Sequence, residues 1–174
     1  RHAEDAAADE ERARVVGEIA DHEQCIAIVR GAFVNAVKKR LPPERFGIFF
    51  SGGVDSSLLA LVAKQLGGDF VCYTSGFHID GIQRPHDIVS AEHVARALGL
   101  QLRARLFTLD EVEKIVRQVV AVLKPVGLVD AVSVSVGAVI AAAVELARAD
   151  HVATFFGGLG AEEIFAGYHR HKKA

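Results

Sequence analysis

An open, mainly parallel α/β sheet with helices on both faces is the fold class this sequence predicts, on three observations. Short apolar runs alternate with segments of helical period, glycine-rich breaks follow two of those runs, and neither a repeat nor a low-complexity linker interrupts the alternation. Strands separated by helices run parallel through right-handed crossovers, and a parallel sheet needs cover on both faces. The 174 residues, 51% hydrophobic and 24% charged, suit one core-bearing domain with at most an appendage.

Residues 1–21, rich in Ala, Glu and Arg, read as a helical or flexible N-terminal extension, and residues 22–174 as the main domain. Residues 22–41 have helical period, with Ile26, Val29, Phe33, Ala36 and Val37 on one stripe, ended by Pro42 and Pro43. Residues 46–50 read as a buried strand broken by Ser51-Gly52-Gly53, and residues 57–66 as a helix closed by Gly67 and Gly68. A second strand spans residues 70–74. A helix follows over 87–98, with Val89, Ala91, Val94, Ala95 and Leu98 inward and Gly99 as its stop. Residues 102–107 alternate as a third strand. Thr108 caps a helix over 110–123 that ends at Lys124-Pro125. Ser133 or Ser135 caps the next helix, which runs to Ala149 and is apolar nearly all round, suiting either burial or a subunit interface. A fourth strand spans 151–156, broken by Gly157-Gly158-Leu159-Gly160, and a short helix begins near Ala161.

Twenty Lys and Arg against 22 Asp and Glu argue against a protein held to nucleic acid by phosphate neutralisation. Cys25 and Cys72 form no CxxC, which excludes a disulfide scaffold and a cysteine zinc site. The composition reads as cytoplasmic. Ser133, Ser135, Gly137 and Glu145 interrupt the longest apolar stretch, so no membrane span is expected. The chain lacks methionine, position 1 included, and stops on a polar run directly after a motif; the reading is of a native start that is missing and a chain that continues.

Sheets of this class bind ligands at the carboxyl ends of their strands, and both glycine breaks lie there. If the first and fourth strands are neighbours, the two loops share one crevice. The first loop is strand, glycine turn and helix start. Gly52 and Gly53 let the backbone approach an anion, free N–H groups at a helix N-terminus attract it, and Ser51, Ser56 and Ser57 add hydroxyls. Asp55 beside phosphate is repulsive unless it holds Mg²⁺. No lysine is present, so this is not the GxxxxGK[ST] loop. The bland alternative is a βα turn with Ser and Asp as caps.

The segment Ser51-Gly52-Gly53-Val54-Asp55-Ser56 resembles the SGGxDS signature of the PP-loop ATP pyrophosphatases, which split ATP between the α and β phosphates. Phe155-Phe156-Gly157-Gly158-Leu159-Gly160-Ala161-Glu162-Glu163-Ile164-Phe165-Ala166-Gly167-Tyr168 resembles the SGxGADExFxGY segment of asparagine synthetase C-terminal domains and β-lactam synthetase. The resemblance covers roughly residues 33–172 and is specific at the two loops. It implies an adenine nucleotide alpha hydrolase-like, Rossmann-like fold and a PP-loop nucleotide-binding domain. It implies that Ser51, Gly52, Gly53, Val54, Asp55, Ser56 and Ser57 hold pyrophosphate, that backbone near Cys72 to Gly76, with Tyr73, Thr74 and Gly76, meets adenine, and that Gly158 and Gly160 allow close approach to the reacting centre. Asp55 and Glu162 would hold Mg²⁺, with Glu162 where the family usually has Asp. Glu162 and Glu163 also suit a helix N-terminus on charge alone.

Leu159 stands where glutamine-dependent asparagine synthetases often carry a Glu between the two glycines, and it can neither move a proton nor carry charge. The family's later substrate-binding region with its lysine, and its N-terminal glutaminase domain, have no counterpart in these 174 residues. The resemblance therefore implies ATP binding more directly than asparagine synthesis. The expected function is an ATP- and Mg²⁺-dependent, AMP-forming carbon–nitrogen ligase or synthetase module. Its partners would be an unidentified small-molecule acceptor, a protein that supplies ammonia or otherwise assists, and a second copy of the chain. Two alternatives stay open: a nucleotide-binding module without its own catalysis, and a tRNA-modifying PP-loop enzyme.

Overall fold

The computed structural model describes residues 22–77 and 84–160. The N-terminal extension, the helix expected near Ala161, and Glu162 lie outside the described residues. The chain divides into two compact units, one up to Arg40 and one from Leu41 onward. The first contributes a single described helix, α1 (His22–Lys38). The predicted stripe on it is largely exposed: Ile26 and Val29 are each 47% accessible, while Val37 is buried.

The second unit holds β1 (Phe46–Phe49), α2 (Val54–Gln65), β2 (Phe70–Phe77), α3 (His86–Leu98), β3 (Leu102–Phe107), α4 (Leu109–Leu123), α5 (Ala131–Ala147) and β4 (Phe155–Phe156). All pairings are parallel and the strand order is β3-β2-β1-β4. β1 and β4 are neighbours, with Gly47 beside Phe155 and Ile48 beside Phe156. The order reverses between β1 and β4, the switch point where an open sheet leaves a crevice.

Side-chain alternation along β2 defines the two faces. Val71 and Tyr73 pack against Ala143 and Ala147 of α5. On the other face Gly76 abuts Pro85 and Ile88 at the start of α3. α2 and α3 therefore cover one face and α4 with α5 the other, as right-handed crossovers require. Gly137 brings α5 close to α4, because a Cβ there would lie 2.7 Å from Val119.

Several boundaries differ from the sequence reading. α2 begins at Val54 rather than residue 57, since Gly53 is extended (φ −71°, ψ 168°) and already serves as N-cap. β2 runs on to Phe77, because β3 pairs with it through Phe77. Val89 is 48% exposed and Ile88 takes its place in the core. The cap of α5 is Asp130, which accepts from the N–H groups of Val132 and Ser133, while Ser135 turns its hydroxyl back onto the Ala131 carbonyl. Thr108 does cap α4, in a capping box with Glu111. β4 is only two residues long, since the chain leaves α5 through a 3₁₀ turn and His151 at φ 54°.

α5 with its 3₁₀ extension, Ala131–Asp150, is 20 residues and holds an 18-residue window of mean hydropathy 1.7, long and apolar enough to cross a membrane by length and composition. The core helix of a sheet protein passes the same test of length and composition. Here it is the return crossover to β4. Its alanines (Ala138, Ala142, Ala143, Ala147) are buried, while Val132, Val136 and Val139 stay exposed.

Candidate functional site

The crevice at the switch point opens into a cavity of about 790 Å³. The first loop supplies Ser51, Gly53, Val54, Asp55 and Ser56, the end of β2 supplies Tyr73, Thr74 and Ser75, and the second loop supplies Gly157, Gly158 and Leu159. α5 adds an apolar wall that includes Val136, Val139 and Ile140, and α3 adds Asp87. Among the residues singled out from sequence, Gly52, Ser57, Gly76 and Gly160 do not line it.

The two loops touch. A Cβ on Gly158 would lie 3.1 Å from the Asp55 Cβ and 3.2 Å from the Ser56 nitrogen. Gly158 thus serves the contact of one loop with the other. Gly160, at φ +99°, has nothing within 4 Å of where its Cβ would be among the described residues.

Val54, Asp55 and Ser56, the first residues of α2, line this cavity, and no side chain caps the helix there. The N–H groups of Val54, Asp55 and Ser56 have no carbonyl of their own helix to meet, so an anion is their natural partner. The Ser57 N–H is different, because it donates to the Gly53 carbonyl at 3.0 Å. The Ser57 hydroxyl is buried with no hydrogen-bond partner among the described residues. The Ser51 hydroxyl accepts from the Gly53 N–H, and Ser56 donates to the Gly53 carbonyl at 3.2 Å.

Gly52 has a structural task. Its φ is +76°, and a Cβ would lie 2.8 Å from the Ser90 carbonyl carbon on α3. Gly53 faces space, with only the Ser51 hydroxyl within 3.3 Å of its missing Cβ.

Above the end of β1, β2 continues with only β3 beside it, so its other edge is unpaired among the described strands. The Tyr73 carbonyl accepts from Phe50 on the β1 side, while the Cys72 N–H turns to Gln101 on the β3 side. Main-chain groups of successive strand residues face opposite edges, so Ser75 presents both its N–H and its carbonyl to the open edge. The resemblance implies the backbone from Cys72 to Gly76 there, and the pairing of β1 and β3 with β2 narrows it to Ser75 at the open edge.

Tyr73 itself is 1% exposed. Its hydroxyl donates to Asp150 at 2.8 Å, and Arg103 reaches the same carboxylate at 3.2 Å. Burial, first, and the Asp150 bond then push the phenol pKa up. The Tyr73 bond, first, and then Arg103 hold the Asp150 carboxyl below its usual range. Burial alone pushes the Cys72 thiol up to about 12, which leaves it inert. Below the loops, Phe155 stacks on Phe49 with ring centroids 4.8 Å apart. Gly47 makes room for that ring, since a Cβ there would lie 2.4 Å from it.

Among the described residues no three His, Cys, Asp or Glu side chains gather into a metal cage. A carboxylate beside an anion site still fits Mg²⁺, which takes most of its ligands from phosphate and water.

Comparison with known proteins agrees with this geometry. Residues 28–174 match the asparagine synthase family. The chain is 34% identical over 153 residues to "Putative asparagine synthetase [glutamine-hydrolyzing] 1" of Methanocaldococcus jannaschii, covering 87% of this chain and 27% of that protein. It is 33% identical over 142 residues to the glutamine-hydrolysing asparagine synthetase of Bos taurus, covering 80% of this chain and 25% of the relative. The chain thus spans about a quarter of the length of the curated relatives it matches. Among solved structures, the NH3-dependent NAD synthetase of Campylobacter jejuni superposes with a TM-score of 0.50 at 16% identity, over 79% of this chain and 58% of that one. At that identity the likeness speaks to the fold, which is adenine nucleotide alpha hydrolase-like. The chain therefore belongs to the asparagine synthase family, within the PP-loop ATP pyrophosphatase superfamily.

Proposed function

We propose that this chain is the ATP-binding part of an AMP-forming carbon–nitrogen ligase. The observation that carries the reading is the contact of Gly158 with Asp55 and Ser56, which joins an uncapped helix N-terminus and a second glycine loop in one cavity. ATP would lie with its β and γ phosphates on the N–H groups of Val54, Asp55 and Ser56, its base at the Ser75 edge against Val136 and Val139, and its α-phosphate toward the second loop. Adenine suits that edge, because its amino group donates and its N1 accepts, matching one strand carbonyl and one N–H.

In the first step an acceptor carboxylate oxygen bonds to the α-phosphorus, and the bond from that phosphorus to the bridging oxygen breaks. Pyrophosphate departs with the electron pair. In the second step an amine or ammonia bonds to the acyl carbon, AMP leaves with the carbon–oxygen pair, and the nitrogen sheds a proton. The protein's part is to orient the two reactants and to neutralise charge with helix dipole and N–H groups. Asp55, with Glu162, would hold Mg²⁺, which supplies positive charge to the departing pyrophosphate.

Leu159, 81% exposed between the loop glycines, favours a second reading, a nucleotide-binding module whose chemistry depends on a partner. One experiment separates the two: pyrophosphate release from Mg·ATP across a panel of amino acids with ammonia. Acceptor-dependent release is expected. Nucleotide binding without release under every condition supports the module, and no binding rejects both.

A further inference from the structure

Asp87 is a carboxylate in the cavity that the chemistry above leaves unused. Two glycine contacts fix the helix that carries it. Gly52 of the phosphate loop rests on the Ser90–Ala91 backbone, and Gly76 at the end of β2 rests on Pro85 and Ile88. The start of α3, from Pro85 to Ala91, is thereby held between the phosphate loop and the end of β2, and Asp87 lines the cavity from there. The sugar of a nucleotide lies between base and phosphates by its own covalent order. Resting on the nucleotide reading above, we propose that Asp87 reads the ribose, accepting hydrogen bonds from its 2′ and 3′ hydroxyls.

The chemistry selects that occupant. A carboxylate can only accept, and an anionic group in front of it would be repelled. Two vicinal hydroxyls offer two neutral donors to two carboxylate oxygens. Asp55, the other carboxylate among the described lining residues, sits on the phosphate loop and leaves the sugar side to Asp87. An acidic residue in a first helical turn is favoured by the dipole in any case, which accounts for tolerance of Asp87 but not for its place in the cavity.

The test is titration of the full chain and its Asp87→Ala and Asp87→Asn variants with Mg·ATP, Mg·2′,3′-dideoxy-ATP and Mg·pyrophosphate. The wild type is expected to bind ATP about tenfold more tightly than the dideoxy nucleotide, the range of hydrogen bonds to a charged group. Asp87→Ala should lose about that factor for ATP and nothing for dideoxy-ATP or pyrophosphate, so that discrimination disappears. Asp87→Asn, which keeps an acceptor oxygen, should fall between. Equal losses for ATP and dideoxy-ATP, or a wild type that does not discriminate, overturn the proposal. Weakened pyrophosphate binding in Asp87→Ala makes Asp87 a metal or phosphate residue and overturns it as well. A wild type that binds pyrophosphate but neither nucleotide fails at the nucleotide reading, a different outcome from loss of discrimination alone.

Discussion

The two glycine loops face one cavity but are built in opposite ways. The first is braced by several contacts: Gly52 against α3, the Gly53 carbonyl accepting the Ser57 N–H of a twelve-residue helix, and the Ser51 and Ser56 hydroxyls folded onto the loop's own backbone. The second follows a two-residue strand and carries Leu159 at 81% exposure. Its placement depends on the Phe155 ring below and the Gly158 contact beside it. A phosphate loop works by preorganised dipoles, so rigidity is its function. A loop beside an acceptor that arrives and leaves can be held by a few contacts.

Substitutions that attack one support at a time test this contrast. The largest effect is expected at Gly52. In Gly52→Ala the positive φ is unfavourable and the Cβ meets backbone that no rotamer change can move. A loss of about 2–4 kcal/mol is expected from strain and overpacking together, read from urea unfolding. A loss under half a kcal/mol, roughly the effect of an ordinary surface change, would mean that α3 does not brace the loop.

Gly47→Ala should cost about 1–3 kcal/mol by displacing the Phe155 ring. The double variant Gly47→Ala with Phe155→Ala should lose less than the sum of the two singles. Strict additivity would show that the ring does not occupy the Gly47 notch.

Removing the Tyr73 hydroxyl by Tyr73→Phe should cost about 1–2 kcal/mol while the aromatic packing survives. The associated pH dependence has a definite sign. The Asp150 carboxyl is held below its usual value by Tyr73 and then Arg103, so its contribution is complete above the unfolded value, about 4. It fades as pH falls below that value and through the folded one. The stability gap between wild type and Asp150→Asn should be constant from neutral pH to about 5 and then close on acidification. A gap that widens in acid would contradict the assignment.

The smallest effect on stability is expected at Gly158→Ala. Its Cβ needs only a few tenths of an ångström of relief, which the exposed second loop can give. Unfolding should shift by under about 1 kcal/mol, while Mg·ATP affinity falls because the loops separate. Unchanged affinity in that variant would remove the second loop from the nucleotide site.

Much of this was legible in the sequence because it rests on local rules. Pro42, Gly99 and Thr108 punctuate helices by their own chemistry, and strand–glycine–helix at residues 46–57 announces an anion loop. The adjacency of β1 and β4 was a conditional expectation, and the pairing of Gly47 with Phe155 fulfils it. What escaped depends on distant partners. The overhang of β2 that exposes Ser75 follows from β3 pairing beyond the end of β1. Asp87 enters the cavity because Gly52 and Gly76 fix α3, and the Asp150 tie to Tyr73 crosses 77 residues. No periodicity encodes these contacts. Asp130 rather than Ser133 caps α5 for a nearer reason, since two competent caps stood three residues apart.

The central claim is that the first loop holds the phosphates of ATP. The most direct test is titration of Mg·ATP into the wild type and Gly53→Val, with thermal unfolding followed in parallel. A Cβ at Gly53 meets only the Ser51 hydroxyl, and Gly53 lines the cavity together with Val54, Asp55 and Ser56. The account predicts a nearly unchanged unfolding temperature with Mg·ATP binding abolished. A folded Gly53→Val variant that binds Mg·ATP as tightly as the wild type would contradict it.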